Sequence, residues 1–458
     1  MIAINMQALI IAIREALSDC SDLNLREFAD KGGNRFTCIS IDNLSDRGYV
    51  SGSVILPVIN NASAKTVPER VSSAEVRSVT DADEAVAALL DGNAVVISES
   101  ENAAYSVSVR SEEFRGIENA GTEEVVRGPH DSFIEDAATN VALVRRRLRT
   151  PKLKCISTRA GKLSHTKIFI MYVEGIADAA VVSELIKRIE SCELETLHDS
   201  GTLEMAILDG KFSIFPVIAN TERPDKAAAK LSEGRAAVFV DGSPVVLTVP
   251  ELYIETLQSA DDYSKSPQYA TFARCLRFTA VMCSLLLPAV YLSMLEYHQT
   301  MIPKRLLETL AAQRQNVPYS VFAELFVMLA VFDVIREVGQ RMPRAMGSVV
   351  SIVAGIVLGD AAMTAGLVGA PTLMVVAFSA TCAYISPPVT WTNILLKFPF
   401  VILAQIGGLV GVALGFFALC TFLAGKCSFG VPYLSPVAPF VKSGIKDTLI
   451  KFKGGVQS

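Results

Sequence analysis

The stretch DEAVAALLDGNAVVISESENAAYSVSV, residues Asp83–Val109, decides the fold of the first half of the chain. Its pattern predicts a helix, a glycine at the helix C-terminus, a strand, a turn and a second strand. The same order returns in DKAAAKLSEGRAAVFVDGSPVVLTV, residues Asp225–Val249, where Gly234 takes the place of Gly92. Because a repeated order of elements indicates a repeated structural unit, we predict that one unit is used twice.

A second pair of blocks extends the repeat toward the N-terminus. An apolar helix, LNLREF, the turn KGGN and the strand RFTCISI are followed by Asp46, and NVALVRRRLRTP, LKCI, the turn RAGKLS and the strand TKIFIMYV are followed by Asp178, at an offset of 132 residues. We therefore predict two α/β subdomains with mixed sheets and helices, residues 1–115 and 133–256, joined by a linker at residues 116–132. The pair either encloses a ligand cleft or serves as a docking platform.

Charge and hydropathy divide the chain. Residues 271–458 carry 14 Lys and Arg against 7 Asp and Glu, a net charge of +7, and the remaining residues carry 28 against 40, a net charge of −12. The mean hydropathy of +0.39 is high for a soluble protein, and the excess lies in apolar runs near the ~20 residues that a bilayer-spanning helix needs. We predict an all-α multi-span membrane domain over residues 271–425 and a basic cytoplasmic tail over residues 426–458.

Four stretches of mostly apolar residues are predicted to span the membrane: Cys275–Leu295, Val349–Gly369, Thr372–Val389 and Phe400–Gly425. A fifth, Ser320–Ile335, is shorter and holds Glu324 and Asp333, so it spans, re-enters or lies at the interface. Basic residues before the first span and after the last predict that both termini are cytoplasmic, which requires an even number of crossings. The basic cluster at residues 336–344 also favours the cytoplasm, which would require five crossings and break the even number. The number of membrane-spanning segments therefore stays open between four and five.

Other classes of protein are excluded. The nine cysteines form no CxxC pair, and their odd number indicates free thiols in a reducing compartment. The N-terminus lacks the basic region of a secretory signal peptide, so the first half is expected in the cytoplasm. Its acidic charge gives no footprint for nucleic acid. Four scattered histidines predict no metal site, and no nucleophile with a base is found, so we predict neither a cofactor nor an enzyme.

Carboxylates at membrane depth are costly and are default candidates for an ion path. The candidates are Glu324, Asp333, Glu337 and Asp360. Glu324 and Asp333, nine residues apart, lie on opposite faces of a helix, whereas Asp333 and Glu337 share one side with Arg336. An ion pair with that arginine is therefore the alternative for both. Asp360 has no basic neighbour in the sequence.

Two further groups of residues have a helical spacing. Glycines let helices approach closely, within one chain or between subunits of an oligomer: Gly355, Gly359, Gly407, Gly411 and Gly415. Four arginines cover most of a helix turn and are candidates for docking a partner or an anionic lipid surface: Arg145, Arg146, Arg147 and Arg149. The alternative for the arginines is a solvated face that pairs with acidic neighbours.

Five separated blocks carry a resemblance to a known family. They are RGPHDSFIEDAATNVALVRRRLRTP from Arg127, YVEGIAD from Tyr172, TERPDKAAAKLSEGRAAVFVDGSP from Thr221, NVPYSVFAELF from Asn316 and SFGVPYLSPVAPF from Ser428. The chain resembles the GerA family of spore germination proteins, the A subunits of germinant receptors, of which the stage V sporulation protein AF is a close relative. It departs from the family pattern at Leu329, where a glutamate is frequent, and at Asp360, where a glutamine is usual.

The resemblance implies a protein of the spore inner membrane that acts in the response of dormant spores to nutrients. It implies a homo-oligomer that forms a nutrient-gated cation channel beside a transporter-like B subunit and a lipoprotein C subunit. A non-conducting scaffold or signalling subunit, and a stage V AF-type channel that amplifies ion release, stay open as alternatives. The sequence names neither the nutrient nor the oligomer size.

Overall fold

The computed structural model describes residues 6–42, 44–61, 64, 66–73, 75–109, 123, 128–208, 213–259, 261–342, 355, 357–440 and 448. These residues belong to two compact units. Unit 1 comprises Met1–Lys211, Val217–Glu251 and Ser428–Val431, and unit 2 comprises Phe212–Pro216, Leu252–Cys427 and Pro432–Ser458. Most of the predicted linker at residues 116–132 and of the tail beyond residue 440 lies outside the described residues.

The first subdomain of unit 1 is built around a five-stranded sheet. Its elements are α1 (Met6–Ala16), β1 (Leu23–Ala29), β2 (Arg35–Ile41), α2 (Arg47–Tyr49), a π-helical turn (Val50–Ile55), α3 (Leu56–Asn60), α4 (Val67–Arg70), β3 (Val76–Val79), α5 (Ala82–Leu90), β4 (Ala94–Ser98) and β5 (Ala103–Val107). The strands lie in the order β1-β2-β4-β5-β3.

Both faces of this sheet are covered, as the burial of β2 shows. Ile39 and Ile41 pack with α1 and α5 on one face, whereas Phe36 and Cys38 pack on the other face against the helical segment around Val54. Side chains alternate between the faces of a strand, so a strand with helices on both sides is apolar throughout. The result is a three-layer subdomain.

The second subdomain of unit 1 repeats this plan. Its elements are α6 (Ala137–Arg147), β6 (Leu153–Ala160), β7 (Thr166–Val173), α7 (Ala179–Glu190), α8 (Ser200–Ile207), β8 (Ala219–Thr221), α9 (Pro224–Ser232), β9 (Ala236–Val240) and β10 (Val246–Val249). The order β6-β7-β9-β10-β8 matches that of the first sheet position by position. The two sheets therefore have the common strand order that an internal repeat requires.

Residues at equivalent positions of the two subdomains also have the same role at the ends of helices. Asp46 and Asp178 each begin a helix, and the side chain of each accepts a hydrogen bond of 2.9 Å from a backbone N–H of that helix. Gly92 and Gly234 follow α5 and α9 with φ of +86° and +89°, the left-handed conformation that favours glycine after a helix.

The prediction of mixed sheets is wrong, because all ladders between the named strands are antiparallel. A strand–helix–strand order gives a parallel pair only when the two strands become neighbours. Here α5 joins β3 to β4, and β5 lies between those two strands. The same separation of β8 from β9 by β10 applies in the second subdomain.

Unit 2 is mainly helical. Its elements are a 3-10 turn (Tyr253–Leu257), α10 (Asp261–Ser264), α11 (Pro267–Glu296), a 3-10 turn (Gln299–Met301), α12 (Lys304–Gln313), α13 (Val321–Arg341), α14 (described over residues 357–364), α15 (Ala370–Ala383) and α16 (Pro387–Ala424). Among the described residues, α11 and α16 are the two helices long and apolar enough to cross a bilayer, and α15 is a shorter apolar helix.

Helix α16 reverses direction at Gly408, whose φ of +57° and ψ of −144° are not helical. A Cβ atom added to Gly411 would lie 2.2 Å from the carbonyl oxygen of Leu403, and one added to Gly415 would lie 2.7 Å from a methyl carbon of the same leucine. In a straight helix these glycines are roughly 12 Å and 18 Å along the axis from Leu403. The two arms of α16, before and after Gly408, therefore form an antiparallel hairpin.

The helices of unit 2 run between two ends, which we name proximal, where α11 begins, and distal, where α11 finishes at Tyr297. The hydroxyl of Tyr297 donates a hydrogen bond to the carbonyl of Gln405, so the α16 reversal is distal. The hydroxyl of Tyr291, near the end of α11, lies 3.1 Å from that of Thr372 in the first turn of α15, so α15 begins distally. Glu324 at the start of α13 accepts a hydrogen bond from Gly369 just before α15, so α13 also begins there. Both α13 and α15 therefore run from the distal to the proximal end. The first arm of α16 runs from the proximal to the distal end, and the second arm runs back.

Two expected spans have different limits. The expected span Phe400–Gly425 is wrong because Gly408 divides it, and the first arm begins already at Pro387. The expected span Thr372–Val389 is wrong because α15 ends at Ala383, and Val389 belongs to the next helix. The paired prolines at residues 387 and 388 explain this break, since a residue before proline disfavours the helical conformation. Much of the expected span Val349–Gly369 lies outside the described residues.

Candidate functional site

A buried charge cluster lies between α13 and the first arm of α16. The Oδ1 atom of Asp333 accepts hydrogen bonds from Nη2 of Arg336 at 2.8 Å and from Nζ of Lys397 at 2.7 Å. Arg336 is 8% exposed and Lys397 is 5% exposed. Oδ2 of the same aspartate is buried and has no hydrogen-bond partner among the described residues. Two cations thus share one oxygen of one carboxylate.

A cavity of about 240 Å³ opens beside this cluster. It is lined by Phe332, Asp333, Ile335, Arg336, Ala377, Ala380, Thr381 and Tyr384. Thr381 and Tyr384 are exposed, so the cavity opens to the surface of unit 2. The centroid of the Trp391 ring lies 6.0 Å from the guanidinium carbon of Arg336, at the limit of a cation–π contact.

Glu324 is the centre of a second buried cluster, at the distal end. Its Oε1 accepts a hydrogen bond of 2.6 Å from the backbone N–H of Gly369, and its Oε2 lies 3.2 Å from Nη2 of Arg314 without hydrogen-bond geometry. A Cβ atom added to Gly369 would lie only 3.0 Å from Cγ of Arg314, so the arginine packs directly against this glycine. The carboxylate therefore ties the loop before α15 to the loop before α13, and it is 3% exposed.

The other two predicted carboxylates lie on the surface of unit 2. Glu337 forms an ion pair of 2.7 Å with Arg341, one helix turn further along α13. Asp360 is exposed on α14, with no basic side chain within ion-pair distance among the described residues. Val357, Leu358 and Met363 around it are also exposed. Asp360 is thus the predicted carboxylate without a charge partner in this part of the structure.

The predicted glycines divide into packed and open positions. Gly411 and Gly415 pack the two arms of α16 together, and a Cβ atom on Gly359 lies 3.1 Å from a methyl carbon of Leu373 on α15. Positions 355 and 407 have nothing within 4 Å of an added Cβ atom. The three packed glycines therefore bring helices of one chain together.

The four predicted docking arginines, three in the last turn of α6 and Arg149 just beyond it, do not share one environment. Arg145 is fully buried, donates a 2.8 Å hydrogen bond from Nη2 to Oδ1 of Asp22 and also bonds the carbonyl of Leu153. Burial lowers its pKa, but the charge and hydrogen bonds of Asp22 outweigh burial and raise that pKa above the ordinary value. As a docking residue Arg145 is a wrong prediction, because it has no accessible surface.

The partners of Arg145 belong to different subdomains. Asp22 precedes β1 of the first subdomain, and residues Asp19 and Ser21 exchange backbone hydrogen bonds with Cys155 on β6 of the second. Arg145 is therefore a joint between the two repeats. Arg147 pairs with Asp131 and Arg149 with Asp91. Arg147 and Arg149 therefore fit the alternative interpretation, a solvated face whose arginines pair with acidic neighbours. Arg146 also has an interaction partner.

Lys397 is the functional-site candidate that the sequence reasoning missed. It is the basic residue of NILLKFPF, a run within the apolar stretch of α16. A charged side chain at membrane depth is a candidate on its own, so this signal was available. Its pairing with Asp333 could not be inferred from the sequence, because the two residues are 64 positions apart in the chain. No group of three or more His, Cys, Asp or Glu suitable for a metal is found among the described residues.

The chain is similar to known proteins over almost its whole length. The model of the Bacillus/Clostridium GerA spore germination protein family matches residues 12–456. Spore germination protein KA of Bacillus subtilis is 34% identical over 96% of this chain and 82% of its own length. GerLA of Bacillus cereus is 34% identical over 96% of this chain and 91% of its own length, and spore germination protein A1 of B. subtilis is 36% identical over 84% and 80%.

One solved structure is similar to part of the chain. It is the N-terminal domain of the A subunit of the Bacillus megaterium spore germinant receptor GerK3, with 24% identity and a TM-score of 0.40. The similarity covers 53% of this chain and 94% of that structure.

Proposed function

This chain belongs to the GerA family of spore germination proteins, and from that premise we propose that it is the A subunit of a germinant receptor. In this proposal it lies in the spore inner membrane and works beside a transporter-like B subunit and a lipoprotein C subunit. Copies of the chain form a homo-oligomer around a nutrient-gated cation channel.

The observation that carries the channel proposal is the environment of Asp360. A carboxylate exposed among exposed apolar side chains is too costly to face lipid, so it faces water or a neighbouring copy. Asp360 lies about one helix turn from the distal end of α14. In a ring of copies, these carboxylates form a negative ring at the distal mouth of a pore, and such rings select cations.

Glu324, Asp333 and Glu337 have different roles in this proposal, because all three are already paired with basic side chains of the same chain. Their pairing is also the observation that favours the second candidate, a non-conducting scaffold or signalling subunit. A stage V AF-type channel that amplifies ion release is the other alternative.

The proposed membrane topology has six crossings, formed by α11, α13, the span predicted from the sequence at Val349–Gly369, α15 and the two arms of α16. Both termini are then on the cytoplasmic side, and the reversal at Gly408 is outside. Gly407, which has space for a side chain, supplies the labelling site. In a cysteine-free background, Gly407→Cys is expected to react with a membrane-impermeant maleimide from outside intact cells, and a cysteine restored at position 427 is not.

The channel is tested by ion flux from liposomes that contain the full-length chain, alone and with its B and C partners. Asp360→Asn is expected to reduce the cation-to-anion permeability ratio several-fold, because it removes the charge of the ring. Glu337→Gln, a surface carboxylate with a partner, is the matched control and is expected to leave the ratio unchanged. No flux with all partners present supports the scaffold instead.

A further inference from the structure

We propose that the cavity beside Asp333 and Arg336 binds a phosphate group, from the headgroup of an anionic lipid or as the free ion. The proposal goes beyond the channel and shares with it only the membrane setting of unit 2. It rests on the charge balance, the free donors and the position of the cluster.

The charge balance of the cluster is positive. Arg336 and Lys397 bring two positive charges to the single negative charge of Asp333. Both cations are more than nine-tenths buried, and burial of a charge that lacks a counter-charge costs several kcal/mol. A bound anion removes that cost, because it makes the cluster neutral.

The donors of Arg336 favour a phosphate. Its Nη2 is used by Asp333, whereas no described residue accepts a hydrogen bond from Nε or Nη1. Arg336 lines the cavity of about 240 Å³, so these donors are the ones available to a ligand there. Arginine binds phosphate oxygens through two parallel N–H donors. Tyr384 lines the same cavity and brings a second donor, whereas the hydroxyl of Thr381 already donates to the carbonyl of Ala377.

The position of the cavity suits a lipid headgroup. Arg336 precedes the proximal end of α13 by five residues, roughly 7.5 Å along the helix axis. Basic pockets between membrane helices on the cytoplasmic side are a usual place for anionic headgroups. The openness at Thr381 and Tyr384 allows the acyl chains to remain outside.

The test is binding by the full-length chain in phosphatidylcholine nanodiscs. Native mass spectrometry measures the retention of added phosphatidylglycerol, and isothermal titration with sodium phosphate measures the free ion. Arg336→Gln is expected to weaken binding roughly tenfold, because it removes a charge-assisted interaction with the ligand. Lys397→Gln is expected to weaken binding less, because Lys397 contacts Asp333 rather than the cavity and acts through the net charge of the cluster. Asp333→Asn is expected to strengthen it several-fold, because it leaves the two cations without their carboxylate.

The matched control is Arg341→Gln, which removes the same charge from the same helix at an exposed ion pair. Binding equal to that of the unchanged chain is expected for this control. The proposal is overturned if neither probe binds, if Arg341→Gln weakens binding as much as Arg336→Gln, or if Asp333→Asn weakens it. Thermal unfolding of each variant is measured in parallel, and if Arg336→Gln fails to fold, the opposite signs for Lys397→Gln and Asp333→Asn still decide the matter. Flux is not a readout, so failure here is distinct from failure of the channel.

Discussion

Unit 1 and unit 2 each bury an arginine and an aspartate together, but the two clusters are balanced differently. In unit 1, Arg145 meets Asp22 one to one, and the carbonyl of Leu153 takes a further donor of the guanidinium. In unit 2, Asp333 is shared by two cations and keeps a buried oxygen without a partner among the described residues. A neutral, saturated pair stabilises a joint, whereas a cluster with an excess positive charge and unused arginine donors beside a cavity has capacity for an anion.

The largest expected effect is at the balanced pair. Arg145→Met leaves the buried carboxylate of Asp22 without its partner, so we expect unit 1 to lose about 3–5 kcal/mol of stability. The double variant with Asp22→Leu removes both charges and is expected to recover most of that loss. Hydrogen exchange of β1 and β6 in the full-length chain measures the change.

The control for this prediction is Arg149→Ala, at an exposed ion pair with Asp91. Its expected cost is about 0–1 kcal/mol. If Arg145→Met is as mild as this control, the pair is not a structural joint, and the contrast between the two units disappears.

The sequence predicts the repeat because the repeat is local. The helix, glycine, strand and turn of Asp83–Val109 return at Asp225–Val249, and both copies fold in the same strand order. The antiparallel ladders depend on which strand lies between β3 and β4, and no local pattern carries that information. Gly408 is not among the glycines singled out from the sequence, because no local pattern separates it from Gly407, yet its non-helical conformation reverses α16.

The charged sites could also be predicted only in part, because their partners are distant in the chain. The cost of a carboxylate at membrane depth identified Glu324, Asp333 and Asp360 as special positions. Their different roles depend on partners that are distant in the chain, such as Lys397 for Asp333 and Gly369 for Glu324. The run of arginines in α6 gave no sign that Arg145 is buried, because burial there is set by Asp22, 123 residues away.

A smaller effect is expected at Glu324, which sharpens the comparison within unit 2. This carboxylate has one cation and one N–H donor, so it resembles the balanced pair of unit 1. Glu324→Leu leaves the N–H of Gly369 without an acceptor and is expected to cost about 1–3 kcal/mol. Glu324→Gln keeps an acceptor and is expected to cost less. Thermal unfolding in detergent separates the two, and equal losses count against a role of the Gly369 hydrogen bond.

The smallest effect is a dependence on acid in unit 1. The side-chain hydrogen bond from Asn34 lowers the pKa of Asp30, burial opposes it, and the hydrogen bond from Arg70 lowers it further, to about 2 from an ordinary 3.8. A carboxylate whose pKa is lowered on folding contributes stability above its unfolded pKa. That contribution is therefore complete above about pH 4 and is lost as the pH falls toward 2.

The repeat supplies its own control for this prediction. The residue at the offset of 132 from Asp30 is Lys162, so the turn between β6 and β7 lacks the carboxylate that holds the turn between β1 and β2. Hydrogen exchange between pH 4 and pH 2 is expected to accelerate more in the first turn than in the second, and Asp30→Asn is expected to remove the difference. Equal acceleration in the two turns means that general acid destabilisation dominates and that the Asp30–Arg70 pair, though balanced and buried, adds little to the stability of unit 1.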